Sequence, residues 1–257
     1  MNFASELSAD GVTERLFDLT VAGEVVPAVL WTPEAAEGSR PILLMGHGGS
    51  QHKTMPRLAA SAKRYAKVFG YAVAAIDAPD HGARVAPEDA ERIAEQARKR
   101  FVAGAALSGD TIRTMMESAV RVKAEWQATL DAVQSLSFVG ADHPVGYSGL
   151  SLGAHLGIPF VSADRRISAA VLGLAGLAGD APLLAQYVRD MAAPVTFVVQ
   201  WDDELVPRAA SLALFDAIGS TEKTLHANRG GHLEVPPYER ASWEAFFVRH
   251  LGEAADA

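Results

Sequence analysis

Short apolar runs bounded by Gly, Pro and Asp alternate along the chain with longer stretches of helical spacing. Arg15 to Val21 and Val25 to Trp31 alternate or carry β-branched residues, and Ala22-Gly23-Glu24 between them reads as a hairpin turn. Three buried-strand candidates come next, Ile42 to Met45, Tyr71 to Ile76 and Pro144 to Tyr147, and the runs Ala169 to Leu174, Val195 to Gln200 and Thr221 to His226 follow. Lys53 to Phe69, Ala154 to Phe160, Pro207 to Ile218 and Tyr238 to Leu251 have helical spacing, with Pro207 suited to the first turn of its helix. The alternation predicts a single α/β domain over residues 1–257. Its sheet is expected to be mostly parallel, of about eight strands, with an antiparallel start and helices on both faces.

The stretch from Arg84 to about Leu136 departs from this rhythm, because it holds no strand candidate. Pro87 to Ala103 and Thr111 to Ser135 read as helices, separated at Ser108-Gly109-Asp110, where Asp110 can cap the second. Two helices exceed what one crossover requires. The expectation is a crossover helix plus a helical insertion, at about 84–136, packed over one end of the sheet. Ile112, Met115, Met116, Val120 and Val122 suggest an apolar underside that packs on the core and in part roofs an acyl pocket.

Hydrophobic residues at 49% and charged residues at 21% give enough apolar material for an ordinary globular core. A net charge of -8 argues against a nucleic-acid partner held by phosphate contacts. Arg92, Arg98, Lys99 and Arg100 do cluster, but Glu88, Asp89, Glu91 and Glu95 are interleaved with them, as on a solvated helix face. The chain has no cysteine, which excludes disulfides, thiolate metal sites and a cysteine nucleophile. Met1 to Glu14 is polar, without the basic-then-apolar pattern of a signal peptide, and no apolar run is long enough to span a bilayer. A cytoplasmic protein with no membrane partner is expected, and no stretch marks a subunit interface.

Gly149-Leu150-Ser151-Leu152-Gly153 matches G-x-S-x-G between a strand candidate and a helix candidate, the context that gives this motif physical meaning. A serine there occupies a strained turn, and glycines on either side let neighbouring backbone pass without Cβ clashes. The helix N-terminus brings the Leu152 N–H near any developing oxyanion. Ser148 is a rival nucleophile, but its frame is Gly146 and Leu150, and it falls where the strand should still be running. Without partners the same motif is an unreactive glycine-rich turn. Partners stand in two later loops, Gln200-Trp201-Asp202-Asp203-Glu204-Leu205-Val206-Pro207 and Asn228-Arg229-Gly230-Gly231-His232. A serine hydroxyl needs a neutral imidazole to take its proton, and the imidazole needs a carboxylate on its other nitrogen. Both loops follow strand candidates, where ligands bind in open α/β sheets.

With these motifs the chain resembles the α/β-hydrolase family, and more loosely its dienelactone-hydrolase-like and prolyl-oligopeptidase-like branches. The resemblance spans roughly residues 14 to 250 and includes Gly46-His47-Gly48-Gly49-Ser50, the run Asp77 to Arg84, and Asp-x-x-Val-Pro at Asp203. It implies Ser151 as nucleophile, His232 as base and Asp203 as acid, since the family's acid stands four residues before such a proline; Asp202 is then a turn residue. It also implies oxyanion donors at Leu152 and Gly49, and no cofactor or metal. The implied activity is that of a serine hydrolase cleaving small carboxylic esters, or related lactones, thioesters or amides. Acyltransferases and perhydrolases use the same triad, and the fold also serves as a non-catalytic small-molecule binding module. Dienelactone hydrolases use a cysteine that this chain lacks, and no propeller or second domain to select peptides is expected beside the single α/β domain.

His47 and His81 read as loop-fixing residues, although His81 could also line the pocket. Arg84 has a planar fork that suits either a substrate carboxylate or the fixing of a loop. A zinc site from His47, His52, Asp80 and His81 lacks the support of a His-x-x-x-His pair on a helix. His52, His143, His155, His226 and His250 show no ligand spacing, and Trp201 reads as a packing residue.

Overall fold

The computed structural model describes residues 1–103, 109–177 and 181–254. Its strands are β1 (Ser5–Ala9), β2 (Val12–Val21), β3 (Glu24–Pro33), β4 (Ile42–Gly46), β5 (Ala72–Ile76), β6 (Val145–Leu150), β7 (Ile167–Gly173), β8 (Val195–Gln200) and β9 (Lys223–Asn228). They form one sheet in the order β1-β2-β3-β5-β4-β6-β7-β8-β9. The pairings from β5 through β9 are parallel, while β1, β2 and β3 meet their neighbours antiparallel.

The antiparallel start follows from two tight turns. Ala22 and Gly23, at φ 51° and 87°, make a two-residue turn whose twist matches the flanking strands. Asp10 and Gly11, at φ 56° and 82°, do the same between β1 and β2. The described residues therefore hold nine strands rather than about eight. β1 was missed because its side chains are exposed and give no apolar signal, although Asp10-Gly11 is a strong hairpin pair. The central strands are buried on both faces, and β5 is buried at all five positions, so they read as continuous apolar runs.

The helices are α1 (Pro56–Phe69), α2 (Pro87–Ala103), α3 (Gly109–Gln134), α4 (Leu152–Ala163), α5 (Pro182–Asp190), α6 (Arg208–Ala217) and α7 (Glu239–Leu251). α1 and α7 cover one face through Tyr65, Phe69, Phe247 and Leu251. On the other face, Trp126 of α3, Phe160 of α4, Leu184 of α5 and Leu214 of α6 share a second core. α5 escaped the sequence reading because only Leu184 and Val188 turn inward. Pro207 stands at the N-cap of α6, one position before the helical turn expected for it.

Between β5 and β6 lie α2 and α3. From Met116 onward α3 buries Ala119, Val122, Trp126, Leu130 and Val133, as a crossover helix must. Val120 instead faces outward at 41% exposed, which corrects its place on the apolar underside. Ser108, part of the expected break, and the Ile112 side chain lie outside the described residues. α2 carries exposed ion pairs at Asp89–Arg92 and Glu95–Lys99, fitting a solvated face.

Candidate active site

β6 ends at Leu150 and α4 begins at Leu152, so Ser151 alone makes the strand-to-helix turn, at φ 56° and ψ −118°. This conformation is strained for a residue with a Cβ, and the surroundings hold it in place. Its N–H donates to Gly173 O on β7 at 2.9 Å, and its carbonyl accepts from the Ala154 and His155 N–H groups. The flanking glycines are steric requirements. A Cβ on Gly153 would lie 2.5 Å from Gly46 O, and one on Gly149 would lie 2.5 Å from Gly153 O. The turn therefore packs directly against the end of β4. Beneath it, the buried Tyr147 hydroxyl donates to Gly153 O at 2.7 Å, while Trp126 packs edge-on against the ring.

Ser151 Oγ lies 2.8 Å from His232 Nε2, and His232 Nδ1 lies 2.7 Å from Asp203 Oδ2. The His232 and Asp203 side chains are 3% and 2% exposed and so shielded from bulk water, while Ser151 is partly exposed. Asp203 Oδ1 accepts two further bonds, from the Leu205 and Val206 N–H groups at 2.8 Å each. With these three donors fixed around it, the carboxylate receives the Nδ1–H tautomer, which presents the Nε2 lone pair to the serine proton. The rival candidates are placed elsewhere. Ser148 lies within β6, paired between Met45 and Val171, and Asp202 is exposed, with Oδ2 accepting from Gly230 N–H at 3.2 Å.

Leu152 is the first residue of α4 and has no carbonyl four residues back in the helix to receive its N–H. Gly49 lies in the loop after β4, and a Cβ on it would meet nothing within 4 Å. That loop is anchored on both sides. Gly48 N–H donates to Gln51 Oε1 at 3.3 Å, and Lys53 reaches the fully buried Asp77 with both its N–H (2.8 Å) and its ammonium (2.7 Å). Burial alone would raise the Asp77 carboxyl, but Lys53 and the Ala83 N–H hold it below the usual carboxylate range.

His47 spans the same region: its Nδ1–H donates to Gly48 O and its Nε2 accepts from Ala78 N–H. Burial lowers it to about 4, so it is a neutral strut between the loops after β4 and β5. With both nitrogens engaged it has no lone pair for a metal, and no three metal-binding side chains converge among the described residues. His81 donates Nδ1–H to Pro79 O and packs its ring 5.2 Å from His47. Arg84 corrects the substrate-carboxylate reading. Its two Nη atoms meet Glu125 of α3 at 2.8 and 3.0 Å, so the carboxylate in its fork belongs to this chain. A cleft of about 440 Å³ opens beside Arg84, Asp80 and Arg121, and no triad candidate lines it. Trp201 is 41% exposed, with the Arg208 guanidinium 4.3 Å from its ring.

Several contacts at the site were not anticipated. Glu204 Oε2 accepts from His232 N–H at 3.0 Å, Glu234 Oε2 accepts from Gly231 N–H at 2.7 Å, and Gln200 Nε2 donates to Gly231 O at 3.1 Å. The run Asp202-Asp203-Glu204 was the available signal, but only pairing between the β8 and β9 loops reveals what it holds. His155, one turn after Ser151, is buried and donates Nδ1–H to Ser151 O at 3.0 Å; burial lowers its proton affinity.

No protein-family model matches the sequence, and no curated protein sequence does. Solved structures do match. A cold-adapted esterase from an Arctic intertidal metagenomic library, bound to polyethylene glycol, is 32% identical with a TM-score of 0.81, covering 98% of this chain and all of that one. An acetyl xylan esterase from a Paenibacillus species is 16% identical with a TM-score of 0.71, over 97% of this chain and 88% of that one. An acylaminoacyl peptidase from Pyrococcus horikoshii shares the fold at 14% identity and a TM-score of 0.68, over 96% of this chain but 43% of its own length. By its sheet and its end-to-end similarity to the first of these, the chain belongs to the α/β-hydrolase family, within which it is a carboxylic ester hydrolase.

Proposed function

We propose that the chain hydrolyses small carboxylic esters through an acyl-enzyme on Ser151. Ser151 Oγ attacks the ester carbonyl while its proton passes to His232 Nε2. Asp203 stays ionised and accepts the Nδ1–H, which stabilises the imidazolium. The Leu152 and Gly49 N–H groups hold the tetrahedral oxyanion. His232 then protonates the leaving alcohol, and water repeats the sequence to release the acid. The observation that carries this reading is the unbroken line from Asp203 Oδ2 through His232 to Ser151 Oγ, at 2.7 and 2.8 Å. The esterase activity of the Arctic relative supports the ester as substrate class.

The test is fluorophosphonate labelling with site mapping, run beside turnover of short-chain p-nitrophenyl esters. Stoichiometric labelling at Ser151, and loss of turnover in Ser151→Ala and His232→Ala, are expected. Undiminished turnover in Ser151→Ala would refute the mechanism. A folded protein that neither reacts nor turns over would favour a binding module.

A further inference from the structure

Each main-chain N–H of Gly230-Gly231-His232 donates to a different carboxylate: Asp202 at 3.2 Å, Glu234 at 2.7 Å and Glu204 at 3.0 Å. A fourth carboxylate, Asp203, meets the His232 ring. Asp203 and Glu204 are consecutive, so neighbouring residues hold His232 at its ring and at its main chain. The contact with Glu204 is close: a Cβ on Gly231 would lie 2.7 Å from Glu204 Oε2 and would displace that carboxylate.

A loop clamp alone does not call for this much charge. Neutral amide side chains would accept the same main-chain bonds, whereas three acids in a row repel one another. The arrangement is favourable when positive charge forms among them. The ionisable groups facing His232 are Asp203 and Glu204 from the β8 loop, Glu234 from its own loop and His155 from α4. Burial disfavours a charge on His155, so the group that becomes cationic there is His232 itself.

We propose that Glu204 is a positioning residue for His232. Its carboxylate fixes the His232 main chain, and its negative charge favours the imidazolium formed as Ser151 loses its proton. The proposal rests on the acyl-enzyme reading above.

The experiment compares Glu204→Gln, Glu204→Asp and Glu204→Ala with the wild type, reading kcat, KM and the pH profile with p-nitrophenyl acetate. Glu204→Gln keeps an acceptor oxygen and removes the charge. Its kcat should fall about tenfold at unchanged KM. The acid limb of its kcat/KM profile should move to lower pH by about half a unit, because the protonated ring has lost an anionic neighbour. Glu204→Asp keeps the charge and shortens the reach, so kcat should fall while the acid limb stays near that of the wild type. Glu204→Ala should combine both losses. Wild-type kcat and acid limb in Glu204→Gln, or equal acid limbs in the Gln and Asp variants, would overturn the proposal. A wild type that is neither labelled at Ser151 nor active overturns the acyl-enzyme reading and this role together. An active wild type with an unmoved Glu204→Gln overturns this role alone.

Discussion

Glu125→Leu would leave the Arg84 guanidinium facing a hydrocarbon where it now meets two carboxylate oxygens. The two side chains are 9% and 1% exposed, and the contacts of 2.8 and 3.0 Å form a bidentate pair between the loop after β5 and α3. Removing one partner of such a pair costs about 3–5 kcal/mol, because the other charge stays buried without its counter-ion. In a chain of this size each kcal/mol shifts Tm by about 2–4 °C, so a fall of about 10 °C is expected. The double variant Arg84→Met with Glu125→Leu removes both charges and should return to within about 2 kcal/mol of the wild type. Thermal and urea unfolding of the two singles and the double would measure this cycle. Turnover of a neutral ester and of one bearing a distal carboxylate would be followed in parallel. Arg84→Met should alter KM for the two esters alike. A Glu125→Leu protein within about 1 kcal/mol of the wild type would refute the buried-pair argument. A selective rise in KM for the anionic ester in Arg84→Met would restore the substrate-carboxylate role.

Asp203→Asn should lower kcat by about three to four powers of ten, since an amide beside Nδ1 favours the wrong tautomer, while Asp202→Asn should leave kcat within about threefold; steady-state turnover of both decides which acid acts. Gly153→Ala should prevent accumulation of folded protein or separate α4 from β4, because the new Cβ meets main chain at 2.5 Å; soluble yield and near-UV circular dichroism would report it, and a fully active Gly153→Ala would refute the packing argument. Stability should fall as pH drops from about 6.5 to about 4, because in that window the unfolded chain protonates the position-47 imidazole while the folded protein, with His47 lowered to about 4, does not. The shift corresponds to about 3 kcal/mol, and His155, also lowered, acts in the same direction. Urea midpoints at the two ends of the window should diverge less in His47→Gln than in the wild type, and equal slopes would refute the assignment.

Much of the fold can be read from the chain because parallel strands buried on both faces leave continuous apolar runs. Ile42 to Met45 and Val195 to Gln200 announce themselves in this way, and each of the six apolar runs corresponds to an observed strand, although β9, at the sheet edge, buries only Asn228. β1 left no such trace, because a fully exposed edge strand has no buried face to encode; only its Asp10-Gly11 turn was visible. Val120 was misplaced because its local pattern fits an apolar stripe, and whether that part of α3 meets the core depends on where the helix docks.

For the candidate site, sequence determined the local frames. A strained serine between strand and helix needs glycines on either side, and the imidazole loop passes through a positive φ of 115° at Gly230, so both leave short motifs. What links the motifs is decided by the sheet alone. Parallel pairing of β6, β7, β8 and β9 brings residues 81 positions apart within 2.8 Å, and it separates Ser151 from Ser148 and Asp203 from Asp202. Arg84 shows the converse. Its fork was legible, but its partner Glu125 lies 41 residues away on a helix whose docking no local pattern encodes. Local sterics and hydration act over a few residues and are written in the sequence, whereas a charge finds its counter-ion only once the chain has packed.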